Sequence, residues 1–129
     1  AEAYGISDKV HFLGFVEKPY EFYNAIDINL LTSLSESFPY AMLEGARMKK
    51  PIVTSNVGGV ELVVENGRTG YIVESFEAGE FAQRVIMLGD ESLREKMGKA
   101  IFETVKENFS MKQFVENHIE IYHKILEER

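Results

Sequence analysis

Cysteine is absent from this chain, which rules out both a disulfide framework and a thiolate metal site. No apolar run approaches the ~18 residues of a membrane-spanning helix, and nothing at the start reads as a signal peptide. A cytoplasmic location is the expectation. Basic residues are scarce: 14 Lys and Arg stand against 21 Asp and Glu, for a net charge of −7. A nucleic-acid partner is therefore not expected, because a phosphate backbone needs a basic face. The same balance argues against an anionic membrane surface. Of three histidines, His118 and His123 are five apart, off the i,i+4 spacing that puts two ligands on one helical face. No metal is expected.

What remains is ordinary for a globular domain. The 129 residues are 45% hydrophobic and 27% charged, enough for a single domain with a real core. No internal repeat, low-complexity segment or second domain is evident. The 15 phenylalanines and tyrosines are expected in that core.

Residues 1–8 read as a helix tail closed by Gly5 at a C′-type position. Residues 10–13 form a short apolar strand, followed by a loop through Pro19 and a short helix over 20–25. The near-continuous apolar run 26–34 suits a parallel strand covered on both faces. A helix over about 39–48 follows, with Ala41, Met42, Leu43 and Ala46 turned inward and Gly45 allowing close approach to the sheet. Residues 52–54 and 71–73 are two further strands, separated by Gly58-Gly59, a short helix over 60–65 and an Asn66-Gly67 turn. Such alternation predicts a doubly wound parallel sheet.

The last third is helical. One helix covers 77–88. The next, over 91–108, is capped by Asp90 and carries Leu93, Met97, Ile101 and Val105 on one face. The last opens with a capping box, Ser110 to Gln113, and a staple of Phe109 and Phe114. Its apolar stripe (Phe114/Val115, Ile121/Tyr122, Ile125/Leu126) is expected to lie over the core.

One stretch carries chemistry: Glu36-Ser-Phe-Pro-Tyr-Ala-Met-Leu-Glu44. A strand that turns through a short polar loop straight into a helix leaves unpaired backbone N–H groups, which attract phosphate. Pro39 suits the first helical turn. Glu36 then stands at the mouth of that spot, and Glu44 lies roughly 7–8 Å along the axis from Pro39. Two carboxylates so spaced fit the two ends of a nucleotide sugar. On spacing alone, an ordinary capping loop with Glu44 paired to Arg47 at i,i+3 fits as well.

The stretch resembles the E-x7-E signature of retaining, nucleotide-sugar-dependent glycosyltransferases of the GT-B fold, the large family usually numbered four. Three later blocks resemble the same family in its order: Pro51-Ile-Val-Thr-Ser-Asn-Val-Gly-Gly59, Glu65-Asn-Gly-Arg-Thr-Gly-Tyr-Ile-Val73 and Glu91-Ser-Leu-Arg-Glu-Lys-Met-Gly98. The resemblance implies a hexosyltransferase moving a sugar from a nucleoside diphosphate to a saccharide or lipid-linked acceptor, with no cofactor. A membrane-peripheral placement of the parent enzyme is consistent with such acceptors. A GT-B epimerase or phosphorylase fits these blocks less well.

By resemblance, Glu36 is the catalytic-site carboxylate that meets the donor sugar near the reacting carbon. Ser37, Phe38, Pro39, Tyr40 and Ala41 form the turn that meets sugar and diphosphate. Many relatives have glycine where Pro39 stands; proline has no N–H, so phosphate contacts fall to Tyr40 and Ala41. Glu44 would accept from both ribose hydroxyls, and Val16 matches a backbone contact to the nucleobase. Gly58-Gly59 resembles a V-G-G turn, but relatives place a glutamate where this chain has Leu62, with Glu61 one position early. The turn is therefore read as packing.

The implied fold is Rossmann-like, with strand order 3-2-1-4-5-6. Residues 10–13 would be its third strand, and the other three its fourth to sixth. Its first two strands, the basic residues that clamp the diphosphate and the acceptor-binding N-terminal domain have no counterpart in the sequence. The expectation is thus a single, incomplete C-terminal domain with about four parallel strands, helices on both faces and a helical C-terminus. It would be inactive alone, and its apolar strand edge would invite either re-pairing of residues 10–13 or self-association. A non-catalytic or engineered α/β folding or assembly module derived from such an enzyme is the alternative.

Overall fold

The computed structural model describes residues 1–128. Helix α1 (Pro19–Ala25) precedes strand β1 (Asn29–Leu31), then α2 (Tyr40–Arg47), β2 (Ile52–Ser55), β3 (Gly70–Val73), α3 (Ala78–Met87), α4 (Glu91–Asn108) and α5 (Met111–Glu127). The strands pair in parallel in the order β1-β2-β3. That is the run expected of the fourth, fifth and sixth strands of a Rossmann-like sheet.

Side-chain alternation along β2 and β3 sorts the core into two layers, because successive residues face opposite sides of a sheet. Ile52 and Ile72 join Met42 and Ala46 of α2 and Ile101 and Val105 of α4 on one face. Val53, Tyr71 and Val73 meet Phe81 of α3, Leu88 and Met97 on the other. Residues four apart on a helix drift by ~40° per step, given 3.6 residues per turn. The α4 stripe therefore winds from the second layer at Leu93 and Met97 to the first at Ile101 and Val105. Asp90 caps α4, its side chain accepting from Leu93 N–H at 2.8 Å. Ser110 does the same for α5 through Gln113 N–H.

Gly45 lets α2 approach β1. A Cβ there would run into the Asn29 side chain, which is buried and donates to the Ala41 carbonyl at 2.9 Å. The turn after α2 is a Schellman motif: Lys50 N–H reaches the Gly45 carbonyl and Lys49 N–H that of Ala46. Lys49 takes the left-handed conformation usual for glycine, at φ 58°.

Several expectations need correction. Residues 10–13 are not a strand: they pair with nothing in the sheet, and Phe12 is 91% exposed. The sheet has three strands rather than about four, and re-pairing of that segment does not occur. Connection length is not the obstacle, since residues 14–28, α1 included, are long enough for a parallel crossover. In the order 3-2-1-4-5-6 a third strand lies beside the second and not beside the fourth, so β1 is not its partner. The apolar run 26–34 is paired only over Asn29–Leu31, since β2 is its one neighbour and is itself four residues long.

The stripe of α5 does not lie over the core either. No α5 residue is buried, and Phe114, Ile121, Tyr122 and Leu126 are all more than half exposed. Nor are most aromatics internal; among them Tyr23, Tyr71 and Phe81 are buried. Three strands offer little sheet to cover, and what they have is filled by α2, α3 and α4. Ending the chain at Ser110 should therefore shift the melting temperature by less than about 5 °C, the equivalent of roughly 1 kcal/mol, as read by circular dichroism melts. A larger fall would mean that α5 supports the core. No helix among the described residues is long and apolar enough to cross a membrane.

Candidate functional site

The loop from β1 to α2 is held from below by the end of β2. Buried Ser55 donates through Oγ to the Ser33 carbonyl at 2.6 Å, and Ser33 Oγ donates in turn to Glu36 Oε1 at 2.9 Å. The Gly59 N–H reaches the Ser37 carbonyl at 2.9 Å. Gly58, at φ 56°, lies directly against the Glu36 and Ser37 carbonyls, where a Cβ has no room. The Gly58-Gly59 turn is indeed packing, and what it packs against is the loop carrying Glu36. Phe38 stacks on Phe109 at 5.8 Å between centroids and seals the loop to the core.

Pro39 is the N-cap of α2, one position before the first helical turn expected for it, because its ψ of 111° is extended. No side chain caps this helix end. Met42 N–H returns to the Pro39 carbonyl, which leaves the Tyr40 and Ala41 amides as the orphan donors of the first turn. Glu36, Ser37 and Tyr40 are exposed beside them. Lys49 and Lys50 stand at the opposite end of α2.

Glu44, one turn further along α2, does not pair with Arg47. Its Oε2 accepts from the Tyr23 hydroxyl at 3.3 Å. Burial, then the Glu44 charge and this hydrogen bond, push the Tyr23 phenol up to about 12. Glu44 lines a cleft of about 240 Å³ with Pro19, Tyr20, Tyr23, Arg47 and Met48. Val16 lines a neighbouring cleft of about 580 Å³ that shares Pro19 and Tyr23. Tyr23 is thus the wall between the two. On the other side, Phe38 and Tyr40 open onto an apolar cleft of about 500 Å³ shared with Phe109 and Phe114.

The fold thus gathers the expected residues along α2 and its entry loop, with Val16 reached across α1. Glu36 is in the entry loop and Glu44 is beside α1, and of the two only Glu44 lines one of the clefts described above. Three residues that hold them were not singled out from the sequence, namely Ser33, Ser55 and Tyr23. Ser33 lies within hydrogen-bonding reach of Glu36 along the chain, a local signal of the Ser/Glu kind. Ser55 and Tyr23 are 22 and 21 residues from their partners, so no local pattern marks them.

Known proteins resemble this chain in sequence and in fold. Residues 1–104 match the model of the family described as glycosyl transferases group 1. The chain is 34% identical over 122 residues to N-acetyl-alpha-D-glucosaminyl L-malate synthase of Bacillus anthracis, covering 94% of this chain and 32% of that protein. It is 32% identical over 114 residues to the capsular polysaccharide biosynthesis glycosyltransferase CapM of Staphylococcus aureus, covering 88% of this chain and 30% of CapM. A crystal structure of a glycosyltransferase from Rickettsia africae superposes with a TM-score of 0.91 at 28% identity, over 99% of this chain and 35% of that one. The chain spans about a third of the length of the curated relatives it matches. With the fold, the motif blocks and the family match in agreement, this chain belongs to the glycosyl transferases group 1 family and has the α/β architecture of GT-B glycosyltransferases.

Proposed function

We propose that this chain is the donor-binding part of a retaining glycosyltransferase that uses a nucleoside-diphosphate sugar. The observation that carries the reading is the uncapped start of α2, flanked by two glutamates that each accept from a fixed hydroxyl. The helix dipole and the Tyr40 and Ala41 amides favour the diphosphate there. Glu36 faces the sugar. As the bond from the anomeric carbon to the diphosphate breaks, positive charge develops on the ring, and a carboxylate held by Ser33 opposes it at no reorganisation cost. The acceptor oxygen then bonds to the carbon on the face the diphosphate left, and its proton passes to the departing diphosphate. Glu44 takes the ribose hydroxyls, and Val16 borders the base.

The relatives are named for synthesis of N-acetyl-alpha-D-glucosaminyl L-malate and for capsular polysaccharide biosynthesis, which supports a saccharide or small hydroxylated acceptor bound by parts outside this chain. Within it, residues 1–129 act as one incomplete C-terminal domain. Lys49 and Lys50 sit too far along α2 to neutralise the leaving diphosphate, so the chain alone binds donor and does not turn it over.

Millimolar UDP, GDP or ADP, tested in turn, should raise the melting temperature. A ligand at 100 times its Kd stabilises by about 2.7 kcal/mol, several degrees for a domain of this size. Glu44→Ala should abolish the rise. No rise with any of the three would favour a non-catalytic folding module.

A further inference from the structure

The Tyr23–Glu44 hydrogen bond serves more than packing. We infer that Tyr23 is a positioning residue which fixes the Glu44 carboxylate for a vicinal diol, so that discrimination between ribo- and 2′-deoxyribonucleotides depends on a hydroxyl the ligand never touches. The inference rests on the donor-site reading above and names what sets its selectivity.

Glu44 projects from the exposed side of α2 and forms no ion pair with Arg47, its neighbour one turn on. Left free, such a side chain samples many rotamers and must be ordered at the moment of binding. Tyr23 removes that freedom. It is 6% exposed, its ring is braced edge-on by Phe22 at 5.2 Å, and α1 packs on α2. Its hydroxyl has Glu44 as its one hydrogen-bond partner among the described residues. A buried donor left without an acceptor is costly, so the phenol and the carboxylate hold each other.

The carboxylate keeps ample capacity. Oε1 carries no bond from the described residues, and Oε2 retains a second lone pair. The burial and charge that push the phenol up to about 12 also favour its protonated, donating form. Below that range Tyr23 presents a hydrogen, not a second negative charge, to Glu44. Its place as the shared wall of the Glu44 and Val16 clefts puts this brace where ribose meets base.

The test titrates the 129-residue chain calorimetrically with UDP, GDP and ADP and with dUDP, dGDP and dADP. The wild type should prefer the best ribonucleotide over its 2′-deoxy counterpart by about 10–100-fold, the range for a hydrogen bond to a charged group. Tyr23→Phe keeps the ring and removes the hydroxyl. It should weaken the ribonucleotide about 10-fold and the deoxy form, which offers Glu44 only its 3′-hydroxyl, by clearly less, so the preference shrinks toward unity. Circular dichroism of Tyr23→Phe establishes that the fold survives, and if it does not, Glu44→Gln offers a second route, since it keeps an acceptor at Oε1 while weakening the bond from Tyr23. It too should compress the preference.

The outcomes separate cleanly. If Tyr23→Phe or Glu44→Gln retains the wild-type preference, the positioning role is overturned while the donor-site reading stands. If Tyr23→Phe weakens both nucleotide forms alike, the hydroxyl supports the fold or touches the ligand, and the positioning role falls. If the wild type binds none of the six, or binds both forms equally, the donor-site reading itself fails at Glu44.

Discussion

Gly98→Ala should lower the melting temperature by roughly 5–15 °C, although alanine is the better helix former by about 1 kcal/mol. Gly98 is buried in the middle of α4, where the helix crosses the turn after α2. A Cβ at this position would be driven into the Lys49 carbonyl, with Pro51 Cδ 3.6 Å away. Backbone cannot swing aside as a side chain can, and this backbone is doubly committed: Lys49 is in the left-handed conformation of the Schellman turn, and Pro51 leads directly into β2. Either α4 moves outward and opens the layer containing Ile101 and Val105, or the turn distorts and drags β2. Overpacking of this kind costs about 1–3 kcal/mol, a large share of the ~5–15 kcal/mol that holds a domain folded. Differential scanning calorimetry of the two proteins measures it. An unchanged or higher melting point would show that the α2–α4 contact is soft and that helix propensity decides.

Gly58→Ala should have its largest effect at the Glu36 loop. The substitution incurs two costs, alanine in a left-handed backbone at about 1–2 kcal/mol and a collision of its Cβ with the carbonyls of Glu36 and Ser37. Gly67→Ala is the control. Gly67 is also left-handed, at φ 83°, but nothing lies within 4 Å of the Cβ position, so it pays the first cost without the second. The expected result is a modest loss of stability for Gly67→Ala with nucleoside-diphosphate stabilisation intact. For Gly58→Ala, a greater loss is expected, together with loss of most of that stabilisation, because the Gly59–Ser37 hydrogen bond and the Ser33–Glu36 contact shift with the loop. Thermal melts of both variants with and without the nucleotide distinguish them. Equal behaviour would mean that the Gly58-Gly59 turn does not set the position of Glu36.

Both cases show how far sequence reasoning reached. Gly58 drew notice because it fell in a recognisable block, and Gly98 closed another, yet neither pattern told what each glycine faces. That depends on chain segments 22 and 49 residues away. The same limit explains α5. Its periodic apolar stripe was plain, and so was its Ser110 cap, which formed, although the Gln113 side chain turns to Asn117 and not back to Ser110 N–H, so the capping box is only half made. Where the stripe would go was not, since a pattern specifies a face and not the surface that receives it.

Residues 10–13 failed for a related reason: an apolar tetrapeptide has strand character only when an edge is available to pair with. Residue order alone settled the alternation of strand and helix, the helix ends marked by Asp90 and Ser110, and the E-x7-E stretch with its family, because each is written in residues near one another in the chain. Tertiary structure decided what braces Glu36 and Glu44, which glycines are irreplaceable, and which apolar faces stay bare. Those depend on through-space meetings of backbone and side chain, and the energies involved arise only once distant segments are brought into contact.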